Sequence, residues 1–244
     1  MEFNVSHQAG IVSLMAVVGT KGGVSIGTDV VCCNERLEHD HRHIDKEGFF
    51  DWVDVHAEVF AESEVSFMKL GELTWRDIGF NPQVEINGYT KDNLSRCQWR
   101  KQNIELDLGG QKMGVMSNTI IDVKLRRFYA MWCLREAYVK MTGEALLAPW
   151  LKELEISGVK VPRAKKGAKD VELEEGEMVR DFRIHFKEKL VTNVKMELSA
   201  LGEGYMIAGA VRMDADIDGT GLDMGKWEKL DLEKDVLAFG EEFS

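Results

Sequence analysis

The order of apolar and polar positions opens on β-structure. Phe3 and Val5 alternate with polar neighbours, Ile11–Val18 is almost continuously apolar, and Val24–Cys33 is rich in β-branched residues, which predicts three strands within the first 35 residues. Gly19-Thr20-Lys21-Gly22-Gly23, between the last two, has the composition of a turn. A polar, His-rich stretch, Asn34–Gly48, follows. Trp52, Val55, Val59 and Phe60 then predict a short amphipathic helix over Asp51–Val65. Residues 82–116 read as short strands with turns at Asn87-Gly88 and Gly109-Gly110. The strongest element is a helix capped by Ser117 or Asn118 and running to about Thr142, with Gly143 suited to its C-terminal end. Its apolar positions Ile121, Leu125, Phe128, Tyr129, Trp132 and Val139 recur at helical spacing. Residues 160–169 carry five basic side chains and 170–181 six acidic ones, a charged surface excursion expected to be a mobile loop. Phe182–Leu190, Val194–Leu201 and Tyr205–Val211 close the chain as strands. The class is α+β with one dominant helix.

Composition narrows the function. The 244 residues hold 31 Lys+Arg against 42 Asp+Glu, a formal net charge of −11, which argues against a general nucleic-acid binder because neutralising phosphates needs a basic face. No apolar run approaches the roughly 20 residues of a membrane span, and the N-terminus has neither a basic n-region nor an apolar h-region. The four cysteines, Cys32, Cys33, Cys97 and Cys133, show no CxxC spacing. Reduced thiols in a cytoplasmic protein are therefore expected.

Three features are set aside. Gly19–Gly23 does not match G-x-x-x-x-G-K-[ST] and no helix follows, so a plain turn is favoured over a phosphate loop. His39, Asp40, His41 and His43 are dense in metal-ligand types, but the spacing fits no standard zinc site. Cys32 and Cys33 point to opposite faces of a strand, so at least one is expected to be buried, with no His partner nearby.

Other polar residues carry more. Asp29 ends an apolar strand, Ile26–Val31, where a carboxylate must be paired, hydrogen-bonded, placed at a turn or on a metal. On the long helix Trp132, Glu136 and Lys140 share a face. The bland alternative is an ordinary surface Glu–Lys pair. A Glu and a Lys continuing the apolar stripe of Phe128 and Trp132 instead suggest the rim of a cleft. Two carboxylates, one on a strand end and one on a facing helix, form a hard-oxygen set suited to Mg²⁺ with substrate phosphates.

Three segments, in order, resemble the 4′-phosphopantetheinyl transferases of the surfactin-synthetase-activating type. Phe3-Asn4-Val5-Ser6-His7-Gln8-Ala9-Gly10 looks like F-N-x-S-H-x-x-G. Ile26-Gly27-Thr28-Asp29-Val30-Val31 is similar to the G-[IVT]-D-[IV] strand. Phe128-Tyr129-x-x-Trp132-x-x-Arg135-Glu136-Ala137-Tyr138-x-Lys140-x-x-Gly143 looks like F-x-x-x-W-x-x-[KR]-E-[AS]-[YF]-x-K-x-x-G, followed by Leu146-Leu147. The sequence style is that of the fungal broad-range group. The resemblance implies transfer of the phosphopantetheine arm of coenzyme A to a serine of an apo carrier protein domain, releasing adenosine 3′,5′-bisphosphate. The partners it implies are carrier domains of fatty acid synthase, polyketide synthase, peptide synthetase or aminoadipate reductase. It implies that Asp29 and Glu136 hold Mg²⁺, that Glu136 helps to deprotonate the serine, and that Lys140 contacts the pyrophosphate. Ser6 and His7 would lie against coenzyme A phosphates, His7 near the 3′-phosphate.

Two departures qualify the resemblance. Bacterial members commonly place a second acidic residue where Val31 stands. A substantial N-terminal half also precedes F-N-x-S-H in the family, whose fold is two α/β halves about a pseudo-twofold. Here that half is expected to be largely missing, with residues 1–24 its remnant and 25–244 the C-terminal half, carrying insertions at about 34–75 and 156–181. The alternative function is an inactive remnant that only binds coenzyme A or carrier protein. The first strands are expected to be poorly supported and their apolar surface to favour association. Lys124, Arg126, Arg127 and Arg135, or Lys160, Arg163, Lys165, Lys166 and Lys169, are expected to contact the acidic carrier.

Overall fold

Strand β3 (Val24–Cys32) is the element on which the molecule is organised. It is buried along nearly its whole length and forms one edge of a four-stranded antiparallel sheet. In the computed structural model, which describes residues 1–18, 23–74, 77–79, 94–108, 111–144, 148–167, 173–213 and 224–237, the order in that sheet is β3, β11 (Tyr205–Met213), β10 (Val194–Leu201), β7 (Glu175–Val179). Ala208 is opposite Asp29 in the β3–β11 register. One face of the sheet is covered by the long helix α4 (Ser117–Thr142), whose Ala130, Cys133, Leu134 and Ala137 are fully buried.

The predicted helix over residues 51–65 is divided. α2 (Phe49–Asp54) and α3 (Glu62–Leu70) are separated by a single 3₁₀ turn at Ala57–Val59, and Val55 is exposed rather than on the apolar face. The His-rich stretch expected to be irregular contains a helix, α1 (Leu37–Glu47), which buries Asp40 and Ile44. Asp40 accepts hydrogen bonds from Trp52 Nε1 (3.3 Å) and Tyr129 Oη (2.5 Å), and so joins these helices to α4. His41 and His43 meet Asp122 and Asp51 at 2.8 and 3.0 Å, on separate partners. Phe128 and Trp132, the aromatic residues of the helix signature, stack at 5.9 Å and close over Trp52 and Phe60. These rings are core.

Two hairpins complete this side, β4 (Asn103–Leu108) with β5 (Gln111–Met116), and β8 (Arg183–Phe186) with β9 (Lys189–Leu190), the latter extended by β6 (Leu154–Ser157). α4 begins at the predicted place, yet neither Ser117 nor Asn118 caps it. Their side chains instead accept the Gln102 and Lys101 amides at 2.9 and 2.7 Å, fastening the helix start to the preceding loop. Gly143 ends α4 with φ of 75°, a conformation that favours glycine. The charged excursion expected to be a mobile loop is in part strand: its acidic half supplies β7, paired to β10, and its basic half is held to it where Arg163 N donates to Glu177 and Lys165 reaches Glu174 at 2.8 Å. The turns at residues 19–22, 87–88 and 109–110, the Leu146-Leu147 tail and Lys169 lie outside the described residues.

Lys124 is wholly buried on α4, donating to the Ser95 and Cys97 carbonyls at 2.7 and 2.8 Å, with Phe49 and Phe50 rings beneath its ammonium. Burial pushes its pKa down to about 7. The unfolded lysine titrates near about 10.4. Between those values the unfolded chain holds one proton more, so this group makes stability rise with pH across the window. Urea unfolding at pH 7, 8 and 9 should show the wild type gaining on Lys124→Met as pH rises. A constant difference would refute the assignment.

Candidate functional site

The site is built where β3 and α4 touch. Gly27 faces the helix, and a β-carbon there would collide with the Ala137 carbonyl oxygen and the Met141 amide, and lie 2.9 Å from Met141 Cα. The absent side chain lets the two backbones meet, and the strand's period of two aims Asp29 at the same helix. Lys140, next to the Ala137–Met141 contact, and Glu136, one turn earlier, flank that meeting point. Gly27→Ala is expected to lower the unfolding free energy by about 1–3 kcal/mol, the usual cost of overpacking. Unchanged denaturation midpoints would contradict the close approach.

The hairpin β1 (Glu2–Gln8) and β2 (Ile11–Val17) supplies the third wall. It is not hydrogen-bonded to the main sheet as a strand. Its polar side chains do that work. Outward-facing amides on the free edge of β3 recur at Thr28, Val30 and Cys32. Thr28 N donates to Asn4 Oδ1 (3.0 Å), Cys32 N to Gln8 Oε1 (3.1 Å), and Val30 N to the Asp29 carboxylate. Ser6, between Asn4 and Gln8 on the same face, donates to Asp29 Oδ1 at 2.8 Å. The strands expected to be poorly supported are therefore clipped along β3. The hairpin is inverted in polarity: its opposite face exposes Phe3, Val5, Val12 and Leu14.

Ser6, Asp29 and Lys140 converge. Lys140 Nζ lies 2.7 Å from both Asp29 Oδ1 and Ser6 Oγ. Asp29 is buried, and burial raises its carboxyl above the ordinary range, against the opposing influence of Lys140, Ser6 and Val30. Glu136 is half-buried and also raised, by burial first and then by the Asp29 charge, with Lys140 offsetting part. The alternative of a plain surface Glu–Lys pair does not describe Lys140, whose ionic partner is Asp29 across 111 residues. His7 is the exposed neighbour of Ser6 and faces away from this cluster. Val31, two positions after Asp29, is buried in the core beside α4.

Two residues were missed. Asn4 and Gln8 position the hairpin, and the signal was present in Asn4-x-Ser6-x-Gln8, a polar period-two stripe on a strand whose other face is apolar. One expectation is corrected. Lys124, Arg127 and Arg135 are buried, their charges directed at backbone carbonyls or Glu64, so they cannot form a docking patch for a carrier. Arg126 is half-buried and donates to the Glu203 and Pro162 carbonyls. All four cysteines are free and buried. Among the described residues no helix is long and apolar enough to cross a membrane, and no group of three or more His, Cys, Asp or Glu is gathered to hold a metal ion.

No family model matches the chain. Individual relatives do. It is 40% identical to a 4′-phosphopantetheinyl transferase of Aureobasidium melanogenum over 98% of this chain and 69% of that protein. It is 36% identical to 4′-phosphopantetheinyl transferase 1 of Fusarium mangiferae, over 99% of this chain and 63% of the relative. It is 32% identical to 4′-phosphopantetheinyl transferase NpgA of Emericella nidulans, over 97% of this chain and 64% of the relative. The chain thus spans between 63 and 69% of the length of these relatives. Near-complete coverage of this chain by 4′-phosphopantetheinyl transferases, one of them 40% identical and matched over 69% of its own length, places it in the 4′-phosphopantetheinyl transferase family.

Proposed function

We propose that this chain transfers the 4′-phosphopantetheine arm of coenzyme A to a serine hydroxyl of apo carrier protein domains, as an enzyme of the surfactin-synthetase-activating type. The observation that carries this is the convergence of Ser6, Asp29 and Lys140 within 2.8 Å, with Glu136 one turn away on the same helix face. Phosphoryl-type transfer is mostly positioning and charge neutralisation. Lys140 spends two of its three N–H donors on Ser6 and Asp29, leaving one for a pyrophosphate oxygen. Its charge offsets that developing on the leaving adenosine 3′,5′-bisphosphate. Glu136, whose carboxyl burial and then the Asp29 charge hold above the ordinary range, accepts the serine proton as the new oxygen–phosphorus bond forms and the pyrophosphate bond to the leaving group breaks.

Asp29 and Glu136 fit Mg²⁺. They are carboxylates on the two elements that meet at Gly27, Asp29 beside Lys140 in position and Glu136 beside it along the helix face, and Mg²⁺ takes one or two carboxylates with waters and substrate phosphates. Bound there, the ion would supply charge neutralisation at the pyrophosphate. His7 is proposed near the 3′-phosphate on the resemblance alone. Carrier domains of fatty acid synthase, polyketide synthase, peptide synthetase or aminoadipate reductase are the proposed acceptors, in the cytoplasm. Lys160, Arg163, Lys165 and Lys166 remain the basic set that could meet an acidic carrier, and reversing their charges should raise the carrier KM and flatten its salt dependence.

The deciding experiment is the intact mass of an apo carrier protein incubated with this chain, coenzyme A and Mg²⁺. A gain of one phosphopantetheine, absent with Glu136→Ala, is expected. No gain with any of the four carrier types would overturn the proposal.

A further inference from the structure

Lys140 also lines a cavity of about 440 Å³ whose other walls the transfer chemistry above assigns no role. Its walls come from β1, the start of β3, the end of α4 and Arg212 on β11. Arg212 is half-buried and directly opposite Ser25 in the β3–β11 register, and its Nη2 donates to Ser25 Oγ at 3.2 Å. Among the described residues it has no carboxylate within ion-pair distance, although acidic residues outnumber basic ones by eleven in this chain. With a single hydroxyl as its hydrogen-bond partner among the described residues, the guanidinium keeps most of its five donors unspent there. Ser25, Thr142 and Asn4 add polar groups to the same walls.

We infer that Arg212 binds a phosphate of the coenzyme A donor in this cavity, resting on the transferase reading above. Charge accounting favours a second cation at this end of the site. Lys140 is already engaged by Asp29 at 2.7 Å. The cavity also borders the C-terminal end of α4, whose unpaired carbonyls present negative potential, and the exposed Glu2. An anion could enter only if side-chain cations outweigh those groups, and Lys140 alone, half neutralised, does not. Arg212 supplies the remainder as a cation that keeps its full charge at any working pH.

Calorimetric titration of coenzyme A into wild type, Arg212→Gln and Arg212→Lys tests this. Arg212→Gln should weaken coenzyme A binding by about tenfold or more, the scale of a lost charge-assisted contact. Arg212→Lys should stay within about threefold, with both variants unfolding near the wild-type temperature. Pantetheine, which has no phosphate, should not discriminate among the three proteins. In turnover the coenzyme A KM should rise while kcat and the carrier KM hold. Equal coenzyme A affinity for wild type and Arg212→Gln, or an effect confined to the carrier KM, would overturn the assignment while leaving the transferase reading intact. Should Arg212→Gln not fold, tenfold weaker binding in a folded Arg212→Lys would overturn the charge argument. A wild-type chain that binds no coenzyme A would refute the transferase reading itself.

Discussion

Glu136→Gln is expected to slow carrier modification by about 10²–10⁴-fold, the span general-base groups contribute. The amide keeps the size of the side chain, so packing beside Asp29 and Lys140 is preserved. What it loses is the ability to take a proton and a full negative charge for a cation. Burial and the Asp29 charge already hold the Glu136 carboxyl above the ordinary range, so the wild-type group is a better proton acceptor than a free glutamate. The measurement is the initial rate by intact mass at saturating coenzyme A and carrier, with thermal unfolding as the control for folding. Raising Mg²⁺ separates the two roles. Recovery at high Mg²⁺ would assign the loss to metal affinity, and a deficit that no concentration repairs would assign it to proton transfer. A variant within tenfold of wild type at ordinary Mg²⁺ would remove Glu136 from the chemistry.

The elements that were legible in the sequence are those whose pattern is local. The helix from 117 to 142, its glycine terminus, and strands β3, β10 and β11 follow from periodicities contained within each segment. The convergence of Asp29 with Lys140 was visible only as a shared motif order, because 111 residues separate them. The reason they meet was also in the sequence, at Gly27, but a glycine in a strand does not announce which backbone it approaches. Residues 34–65 were read only in part because their apolar positions serve separate short helices packed around Trp52, Phe60 and Phe128, which no single period describes. The basic positions of α4 misled for a related reason. Lys and Arg are surface residues by default, and only the tertiary structure supplies the carbonyls that let Lys124 and Arg127 be buried.

Arg135→Ala is expected to destabilise the fold by about 3–5 kcal/mol, because it strands a buried charge. Arg135 is fully buried immediately before Glu136. It pairs with Glu64 on α3 and donates to the Leu151 and Leu154 carbonyls at 3.0 and 2.9 Å. Glu64 in turn accepts the Ala61 and Ile156 amides, each at 2.9 Å. One ion pair therefore ties α3, the 151–156 segment and α4 together. Consecutive helix positions point about 100° apart, so seating Arg135 against α3 turns Glu136 toward β3. Desolvation raises the Glu64 carboxyl despite its partner, so removing the guanidinium would leave that carboxyl neutral or unfold the contact. The double variant Glu64→Leu with Arg135→Met should be less destabilised than Arg135→Ala alone, since no charge is left unpaired. Guanidinium melts of Glu64→Leu, Arg135→Met and the double variant give the coupling energy directly. Additive losses would show that the pair does not act as a unit. A folded double variant that transfers at the wild-type rate would show that hydrophobic packing alone can orient Glu136.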